Sequence, residues 1–390
     1  MLPRFPGPTD HHGELAVART RTIGIDFGTS TSMVVDRLGA ESPASVPLGE
    51  GSTSWFPTIV GIDQNRRWVV GSAAEHLPAT QVIRSAKSAI GQDRKWFQLW
   101  DEQQTLQAIE VDDVVALLLD TLRRRVERID PEFFADGTIR MACPAIWTVE
   151  QRARLAGQAR RAGLTVADRE VIDEPIAAGL SYMRHRMAAD LSQPEGLLLV
   201  VDIGGGTLDV AVIQVHGTHE SPKLKTLLVH GSHDGGDAMD QAVMEYLRPQ
   251  VAMVPAWHNP HQSDLHRALL LRTARLLKED LSSADEALRP LLGSETLLRM
   301  TRAELDEAIA PIVQRLARVV WETVAELGKH DVMDTEGVRG EVTHVQLAGG
   351  GSRVPLIRNA LRRLFPDADV ASDPLLLFPE ASVATGLAYL

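Results

Sequence analysis

Hydrophobic and polar positions repeat one pattern at two places along this chain. The stretch "TIGIDFGTSTSMVVD" at Thr22–Asp36 and the stretch "LVVDIGGGTLDVAVI" at Leu199–Ile213 have the same order: an apolar run, an aspartate, an apolar residue, glycine, small polar residues and a second apolar run. Two apolar runs joined by a short glycine-containing segment predict a β-hairpin. The copies lie about 175 residues apart, which is longer than the period of any solenoid repeat. Each half of the molecule is therefore predicted to begin with the same hairpin.

The rest of the pattern alternates strands with helices, which is typical of an α/β fold. Strands are predicted at Phe56–Val70 (a pair), Thr138–Cys143, Lys223–Gly231 and Val342–Leu347. Helices are predicted at Val111–Ile129, Thr148–Ala162, Arg353–Phe365 and Glu380–Leu390, with a mostly helical block from about Asp237 to Leu327. Capping boxes are expected at Thr148 with Gln151 and at Thr301 with Glu304. This order predicts two α/β lobes with a cleft between them.

Length and composition fit this division. A chain of 390 residues with 44% hydrophobic and 24% charged residues is a globular protein too large for one ordinary core. We expect a flexible tail at 1–20, a first lobe at 21–198 and a second lobe at 199–390, with a helical insertion at about 236–328.

Charge, cysteine content and hydropathy exclude several classes of function. A net charge of -12 argues against a nucleic-acid-binding surface, which needs clustered Lys and Arg. The single cysteine, Cys143, lies in an apolar stretch, which predicts a buried thiol and a reducing compartment. No stretch resembles a signal peptide or has the roughly 18 apolar residues of a membrane span. The expectation is a cytoplasmic protein that binds neither nucleic acid nor membrane.

The turns of the two predicted hairpins carry residues suited to phosphate. The glycines at 204–206 expose backbone N–H groups that can form a concave nest for phosphate oxygens, since no Cβ blocks the approach. Thr29 and Thr207 add hydroxyls, and Asp26 and Asp202 stand at strand ends where a hydrated Mg²⁺ bridging phosphates needs carboxylates. Neither a Walker A loop nor a dinucleotide fingerprint occurs. Two facing hairpins of this kind would grip a nucleotide tail from both sides.

Five segments in order also resemble the actin-like ATPase domain of the seventy-kilodalton heat-shock chaperones, the DnaK-like family. They are "IGIDFGTSTS", "IDEPIAAGLSY", "VVDIGGGTLDVAVI", "VQLAGGGSRVPLIR" and "PEASVATGLAYL". The match spans about Arg21 to Leu390. The resemblance implies an α/β actin-like ATPase fold with duplicated ribonuclease H-like lobes around a nucleotide cleft, a helical insertion in the second lobe, and ATP or ADP with Mg²⁺ as ligands.

The resemblance also assigns expected roles to single residues. Lys87 in "RSAKSAIG" aligns with the family's catalytic lysine, which contacts the γ-phosphate and the attacking water. The expected catalytic set is Lys87, Glu174, Asp202, Thr207 and Asp209, and the expected metal set is Asp26 and Asp202. The expected nucleotide-binding set is Asp26, Gly28, Thr29, Ser30, Gly204, Gly205, Gly206, Thr207, Gly236, Asp237, Lys278, Ser282, Gly349, Gly350, Gly351, Arg353 and Glu380.

The chain departs from the family's pattern at several positions. Glu279 stands where the family has an arginine stacked on the base, and a carboxylate cannot supply that contact. Arg275, one helical turn earlier on the same face, is the candidate replacement. Ile146 replaces an expected tyrosine and Glu170 an expected arginine. Because the sequence stops after the second connecting helix, no peptide-binding domain is expected.

These residues predict a slow, Mg-dependent ATPase that acts as a stand-alone chaperone-like switch and works with a protein partner or co-chaperone. Two alternatives stay open at this point. One is a non-hydrolysing, nucleotide-loaded scaffold or filament-forming actin-like protein. The other is a small-molecule kinase of the same fold, because fold alone does not fix function.

Overall fold

A computed structural model describes residues 20–49, 53–78, 81–100, 106–189, 196–218, 221–252, 254, 263–291, 294–330, 335–372 and 379–390. The predicted tail therefore lies almost entirely outside the described residues. Among the helices of the described ranges, none combines the length and the apolar character that a bilayer crossing requires.

The strands of the described ranges, in chain order, are β1 (Arg21–Phe27), β2 (Thr31–Leu38), β3 (Ala44–Ser45), β4 (Trp55–Pro57), β5 (Val60–Ile62), β6 (Trp68–Val70), β7 (Val82–Ile83), β8 (Trp96–Trp100), β9 (Leu106–Glu110), β10 (Gly137–Cys143), β11 (Val171–Asp173), β12 (Gly196–Ile203), β13 (Leu208–Thr218), β14 (Ser221–Ser232), β15 (Glu286–Pro290), β16 (Leu297–Thr301), β17 (Val342–Ala348) and β18 (Asp369–Ser372).

The α-helices of the same ranges are α1 (Ser72–Glu75), α2 (Ala86–Gly91), α3 (Val111–Glu127), α4 (Val149–Arg161), α5 (Glu174–Ala188), α6 (Gly236–Val251), α7 (Ser263–Leu281), α8 (Arg302–His330), α9 (Thr335–Glu341), α10 (Pro355–Leu364) and α11 (Ser382–Tyr389). Short 3₁₀ turns occupy Asp168–Glu170, Gly350–Arg353 and Pro379–Ala381.

Two larger sheets have the same topology. In the first sheet the order is β11-β10-β1-β2-β3, and in the second it is β18-β17-β12-β13-β14. In both, the opening hairpin is antiparallel (β1 with β2, β12 with β13), and the first strand of the hairpin pairs in parallel with a later strand (β10 or β17). The predicted internal repeat of the hairpins is therefore confirmed, and it extends to five strands of each sheet; the first sheet also contains β4, which pairs with β2.

Two helices lie between the sheets and tie them together. Helix α5 packs on β12 and β13 of the second sheet, and α11 packs on β1, β2 and β10 of the first. The two helices also pack against each other, so closely that a Cβ added at Gly386 would collide with the backbone carbonyl of Ala177. Small residues at this crossing set the distance between the sheets.

Most predicted elements are present. The predicted helices at Val111–Ile129 and Thr148–Ala162 correspond to α3 and α4 within two residues at each end. Thr148 and Gln151 form the expected reciprocal capping box, as do Thr301 and Glu304. Cys143 is buried, and burial raises the pKa of its thiol to about 12, as expected for a structural cysteine.

Two features differ from the sequence pattern. The block predicted as mostly helical contains the hairpin β15–β16, whose strands consist largely of residues that also favour helices. Strand β12 begins at Gly196, so a lobe boundary between 198 and 199 would cut a strand. The assignment of residues 21–198 and 199–390 to separate lobes stays a proposal.

Candidate nucleotide and metal site

A cavity of about 420 Å³ lies between the two sheets. Its size falls in the range of small-molecule sites. Most of the sequence-predicted residues line it, namely Asp26, Gly28, Thr29, Ser30, Lys87, Glu174, Asp202, Gly204, Gly205, Thr207, Gly236, Asp237, Lys278, Ser282, Gly349, Gly350, Gly351, Arg353 and Glu380. Gly206 and Asp209 belong to the same loop and strand but do not line this cavity. The aspartates of the two hairpins thus share one cavity, as the repeat predicts.

The turns of the two hairpins touch each other across the cleft. A Cβ added at Gly205 would lie 2.5 Å from Ser30 Oγ, and one added at Gly206 would collide with Ser88 Oγ. Neither glycine has a positive φ. Glycine is therefore needed at these two positions because the facing segment comes close to them. Their backbone conformation does not require it.

The expected nest of amides is only partly available. The Gly204 N–H donates to the Thr207 carbonyl at 3.0 Å, because these residues close the turn between β12 and β13. The N–H groups of Gly205 and Gly206 are then the candidate donors to an anion.

Lys87 lies at the base of the cavity in a cluster of opposite charge. Its ammonium group donates to Glu174 Oε1 and lies 3.8 Å from Asp26 Oδ1. Burial disfavours the charged lysine, but attraction to Glu174 and Asp26 outweighs burial and raises the pKa of the ammonium. Burial also raises the pKa of Asp26, to about 6, against the opposing effect of Lys87. Lys87 is therefore held as a cation that donates hydrogen bonds.

Two further carboxylates face each other on the second hairpin, where Asp202 on β12 is in register with Asp209 on β13. Burial raises the pKa of Asp202 well above its usual range, and the charges of Glu174 and Asp209 add to this. The pKa of Asp209 rises to about 8, mainly through burial and the charge of Glu174. Asp209 Oδ1 accepts from the Ala145 amide at 2.7 Å, whereas Oδ2 has no hydrogen-bond partner among the described residues.

This carboxylate set fits a hydrated divalent cation. Asp26 and Asp202 are buried carboxylates with raised pKa values, and a hard cation would supply the positive charge that stabilises their ionised forms. Among the described residues, no group of three or more His, Cys, Asp or Glu side chains is arranged to hold a metal without other ligands. Mg²⁺ bound through one or two carboxylates, waters and substrate phosphates matches these observations.

Gly349 provides the clearest requirement for glycine in the site. It follows β17 with φ of 72°, a left-handed conformation in which any other residue is strained. A Cβ at this position would also collide with Asp202 Oδ1 and with the Ile203 carbonyl. Glycine at 349 therefore allows the β17 loop to lie against Asp202.

The start of α6 is joined to the second hairpin turn. The N–H groups of Gly236 and Asp237 donate to the carbonyls of Gly204 and Gly205, at 2.9 and 2.6 Å. Asp237 Oδ2 also accepts from Ser85 Oγ at 2.8 Å, which links α6 to the segment before α2. The α6 N-terminus therefore moves with the turn that faces the cavity.

Charged pairs line the side of the cavity where base contacts are expected. Arg275 is paired with Glu279 at 2.9 Å, and Arg353 makes a two-fold contact with Glu380 at 2.8 and 3.0 Å. The guanidinium of Arg275 therefore lies beside Glu279, which is the position where this chain departs from the family's pattern. Lys278, expected near ribose and base, is held by Asp240 at 2.6 Å and by the Gly236 carbonyl.

Sequence reasoning missed some of the lining residues. Trp55, Met33 and Asp240 line the cavity although none of them was among the expected site residues. Trp55 is 40% exposed, which is unusual for so large an aromatic residue, and it pairs with Met33 across β4 and β2. An isolated tryptophan in the region of short strands gives no sequence signal for this position.

Comparison with known proteins identifies relatives over nearly the whole chain. A model of the family described as "Hsp70 protein" matches residues 22–389. The chain is 28% identical to the "Chaperone protein DnaK" of Methanothermobacter thermautotrophicus, over 87% of this chain and 55% of that protein. It is 27% identical to the "Chaperone protein DnaK" of Nitrosopumilus maritimus (91% and 54%) and to the "Chaperone protein HscA homolog" of Bordetella petrii (98% and 58%). The chain spans a little more than half the length of these relatives.

Proposed function

Because the chain belongs to the Hsp70 family, whose nucleotide-binding part has the actin-like ATPase fold, we propose that it binds and hydrolyses ATP and acts as a nucleotide-dependent switch. The observation that carries this proposal is the cavity in which the buried ammonium of Lys87, paired with Asp26 and Glu174, shares the lining with Asp202 of the second hairpin. A cation and a pair of facing turns at one end of a nucleotide-sized cavity suit a triphosphate.

Lys87 has the properties required of a group that stabilises charge during phosphoryl transfer. Since nearby carboxylates keep it protonated, it donates to a phosphate oxygen or to the attacking water but does not accept a proton. Preorganised charge of this kind supplies most of the rate enhancement in phosphoryl transfer. Glu174 orients Lys87 through their hydrogen bond.

The remaining proposed roles follow from position in the cleft. Asp26 and Asp202 would hold the Mg²⁺, which when bound neutralises phosphate charge. Thr207 and Asp209 would orient the attacking water with Glu174. The lining residues on α6, α7 and after β17 would hold ribose and base.

The structure also suggests how nucleotide could change the molecule's shape. A nucleotide bound between the sheets contacts loops of both, so its hydrolysis alters the contacts that hold the cleft closed. Helices α5 and α11 cross between the sheets and would carry this change to a partner surface. We infer a protein partner or co-chaperone, because the relatives are named as chaperone proteins.

The test is turnover of radiolabelled ATP by the wild type and by Lys87→Ala. We expect turnover to fall by about 10²-fold or more in the variant while ATP still binds, since one charge-stabilising donor is lost. Lys87→Gln keeps a donor without the charge and serves as a better-folded second variant, because Ala leaves Glu174 buried without its partner. Lys95→Ala, an exposed lysine outside the cavity, is the matched control and should keep full turnover.

Other outcomes would favour the alternatives. ATP binding without phosphate release by the wild type would contradict hydrolysis and favour a nucleotide-loaded scaffold, and an ATP-dependent rise in light scattering would indicate a filament. Transfer of the label to a sugar or carboxylic acid would indicate a kinase.

A further inference from the structure

A second cavity, of about 560 Å³, lies behind the hairpin turns. It is lined from both sides of the cleft, and its charged or titratable members are Arg84, Arg94, His233, Asp237, Glu245 and Arg315. Asp237 lines both cavities, and Gly206 and Ser88 face this one. The two cavities therefore share a wall at the phosphate end of the candidate nucleotide site.

That wall is thin and polar. It consists of the Gly206 backbone in contact with Ser88, of the Thr29 and Ser88 hydroxyls at 3.4 Å, and of the hydrogen bond from Ser85 to Asp237 at 2.8 Å. None of these contacts buries a large apolar side chain. Opening the wall requires the loss of little more than these one or two hydrogen bonds.

Ser85 is under strain at this wall. Its φ of 57° and ψ of 39° place it in the left-handed region, which is unfavourable for a non-glycine residue. Its hydroxyl bond to Asp237 spans the cleft. Loss of that bond would let the segment before α2 relax away from α6.

The positive charges of the second cavity are less compensated than its negative ones. Asp237 accepts from Ser85, and Glu245 is paired with Arg248 at 3.1 Å. Arg84, by contrast, has no hydrogen bond or ion pair within the described ranges. Burial, together with the charges of Arg275 and Arg272, lowers the pKa of Arg84 to about 10.

The contacts of Arg94 and Arg315 place no carboxylate inside the cavity, so the positive charge of both arginines remains at its wall. Arg315 is paired with Asp234, which does not line the cavity, and Arg94 lies over the Phe97 ring at 4.8 Å. The carboxylates of Glu75 and Glu279 attract Arg84 but make no ion pair with it within the described ranges. An anion in this cavity would therefore give Arg84 a direct partner. A planar guanidinium is well suited to binding a phosphate oxyanion.

We propose that the second cavity is a binding site for inorganic phosphate, which enters through the Ser85–Asp237 wall after hydrolysis and is held there by Arg84. The proposal rests on the proposed function for the source of the phosphate. In that reaction water oxygen bonds to the γ-phosphorus, the bond to the bridging oxygen breaks, and ADP keeps the electron pair. Phosphate binding to this cavity is an equilibrium that can be measured without ATP turnover.

The first experiment measures inorganic phosphate binding to the ADP-loaded protein by ³¹P NMR titration. We expect Arg84→Gln to weaken phosphate binding by about 10-fold or more, which corresponds to the loss of about 1.4 kcal/mol from a charged hydrogen bond. Arg84→Lys keeps the charge and should retain most of the affinity. Arg318→Gln, one turn along α8 from Arg315 and outside the cavity, is the control. Equal affinity in wild type and Arg84→Gln would overturn the proposal.

The second experiment separates hydrolysis from product release. Quenched-flow measurement of bond cleavage should be unchanged in Arg84→Gln, whereas a fluorescent phosphate sensor should report altered release from both Arg84→Gln and Ser85→Ala. We expect faster release from Ser85→Ala, which lacks the bond that closes the wall. Unchanged release in both variants would overturn the route. Arg84-dependent phosphate binding in a protein that does not cleave ATP would support the site and contradict only the proposed hydrolysis.

Discussion

Buried charge dominates the chemistry of the cleft. Four carboxylates from different elements lie near one ammonium, and burial raises the pKa values of Asp26, Asp202 and Asp209 because it disfavours their charged forms. Such an arrangement costs folding stability in the absence of ligand. Clusters of this kind are typical of functional sites.

Asp209 should make stability depend on pH. Its pKa rises from 3.8 to about 8 on folding, so the folded protein holds a proton that the unfolded chain releases. The stability from this proton is fully present below about pH 4 and is lost as pH rises towards 8. Relative to the wild type, Asp209→Asn should therefore gain free energy of unfolding between pH 4 and pH 8, measured by urea denaturation without nucleotide. A difference that stays constant across this range would contradict the prediction.

Trp55 should report nucleotide binding. It is exposed at the wall of the cavity, so a bound nucleotide would change the polarity around its indole. We expect ATP to change intrinsic fluorescence in the wild type and in Trp96→Phe, whose tryptophan is exposed outside the cavity, but much less in Trp55→Phe. Trp55→Ala should weaken ATP binding by about 2- to 10-fold through loss of an aromatic contact. An undiminished signal in Trp55→Phe would place the nucleotide away from this residue.

The crossing of α5 and α11 sets the distance between the two sheets. A glycine-to-alanine substitution, made once at the crossing and once away from it, tests this. Gly386→Ala places a methyl group on the Ala177 backbone and should cost about 1–3 kcal/mol of stability. Gly157→Ala in α4 meets no atom within 4 Å and should instead stabilise by about 0.5–1 kcal/mol, because alanine is the better helix former. Thermal or urea unfolding of both variants is the measurement. Equal effects of the same sign would show that the crossing tolerates separation.

Local elements were predictable where their signals are local. Capping boxes at Thr148 and Thr301 mark helix starts because both partners lie within four residues of each other. The β15–β16 hairpin was missed because its inward residues, Ala287, Leu298 and Met300, are also common in helices. These residues become strands only because β15 and β16 pair with each other, and a local sequence pattern does not show that pairing.

The candidate nucleotide cavity lies between the two sheets, so a bound nucleotide should slow hydrogen exchange in turns of both sheets. We expect hydrogen exchange in the presence of Mg²⁺ and ATP to slow at 28–30, at 204–207 and at 349–351, which lie on three separate turns around the cavity. Global stability should rise by about 2.7 kcal/mol at a nucleotide concentration 100 times the Kd. Protection confined to one sheet would contradict a ligand that bridges them.

Gly349→Ala is the variant that we expect to lose this ATP-dependent protection. The added Cβ collides with Asp202 and with the Ile203 backbone, and the residue must keep a positive φ, so we expect ATP-dependent protection to disappear from all three turns. Gly340→Ala, which meets no atom within 4 Å, is the control and should keep it. Normal protection in Gly349→Ala would show that the β17 loop tolerates displacement from Asp202.

The amino-acid sequence by itself determined the duplicated hairpins, the α/β class, the family resemblance and most residues of the candidate site, because each of these is written in short segments whose spacing is fixed by the chain. Tertiary structure alone decided what depends on distant segments meeting. It brought Lys87 to Glu174 and Arg275 to the cavity wall, placed Trp55 beside the cleft, and joined Ser85 to Asp237 in front of a second cavity. Those contacts arise from the packing of two sheets around α5 and α11, and no local pattern encodes the distance between them.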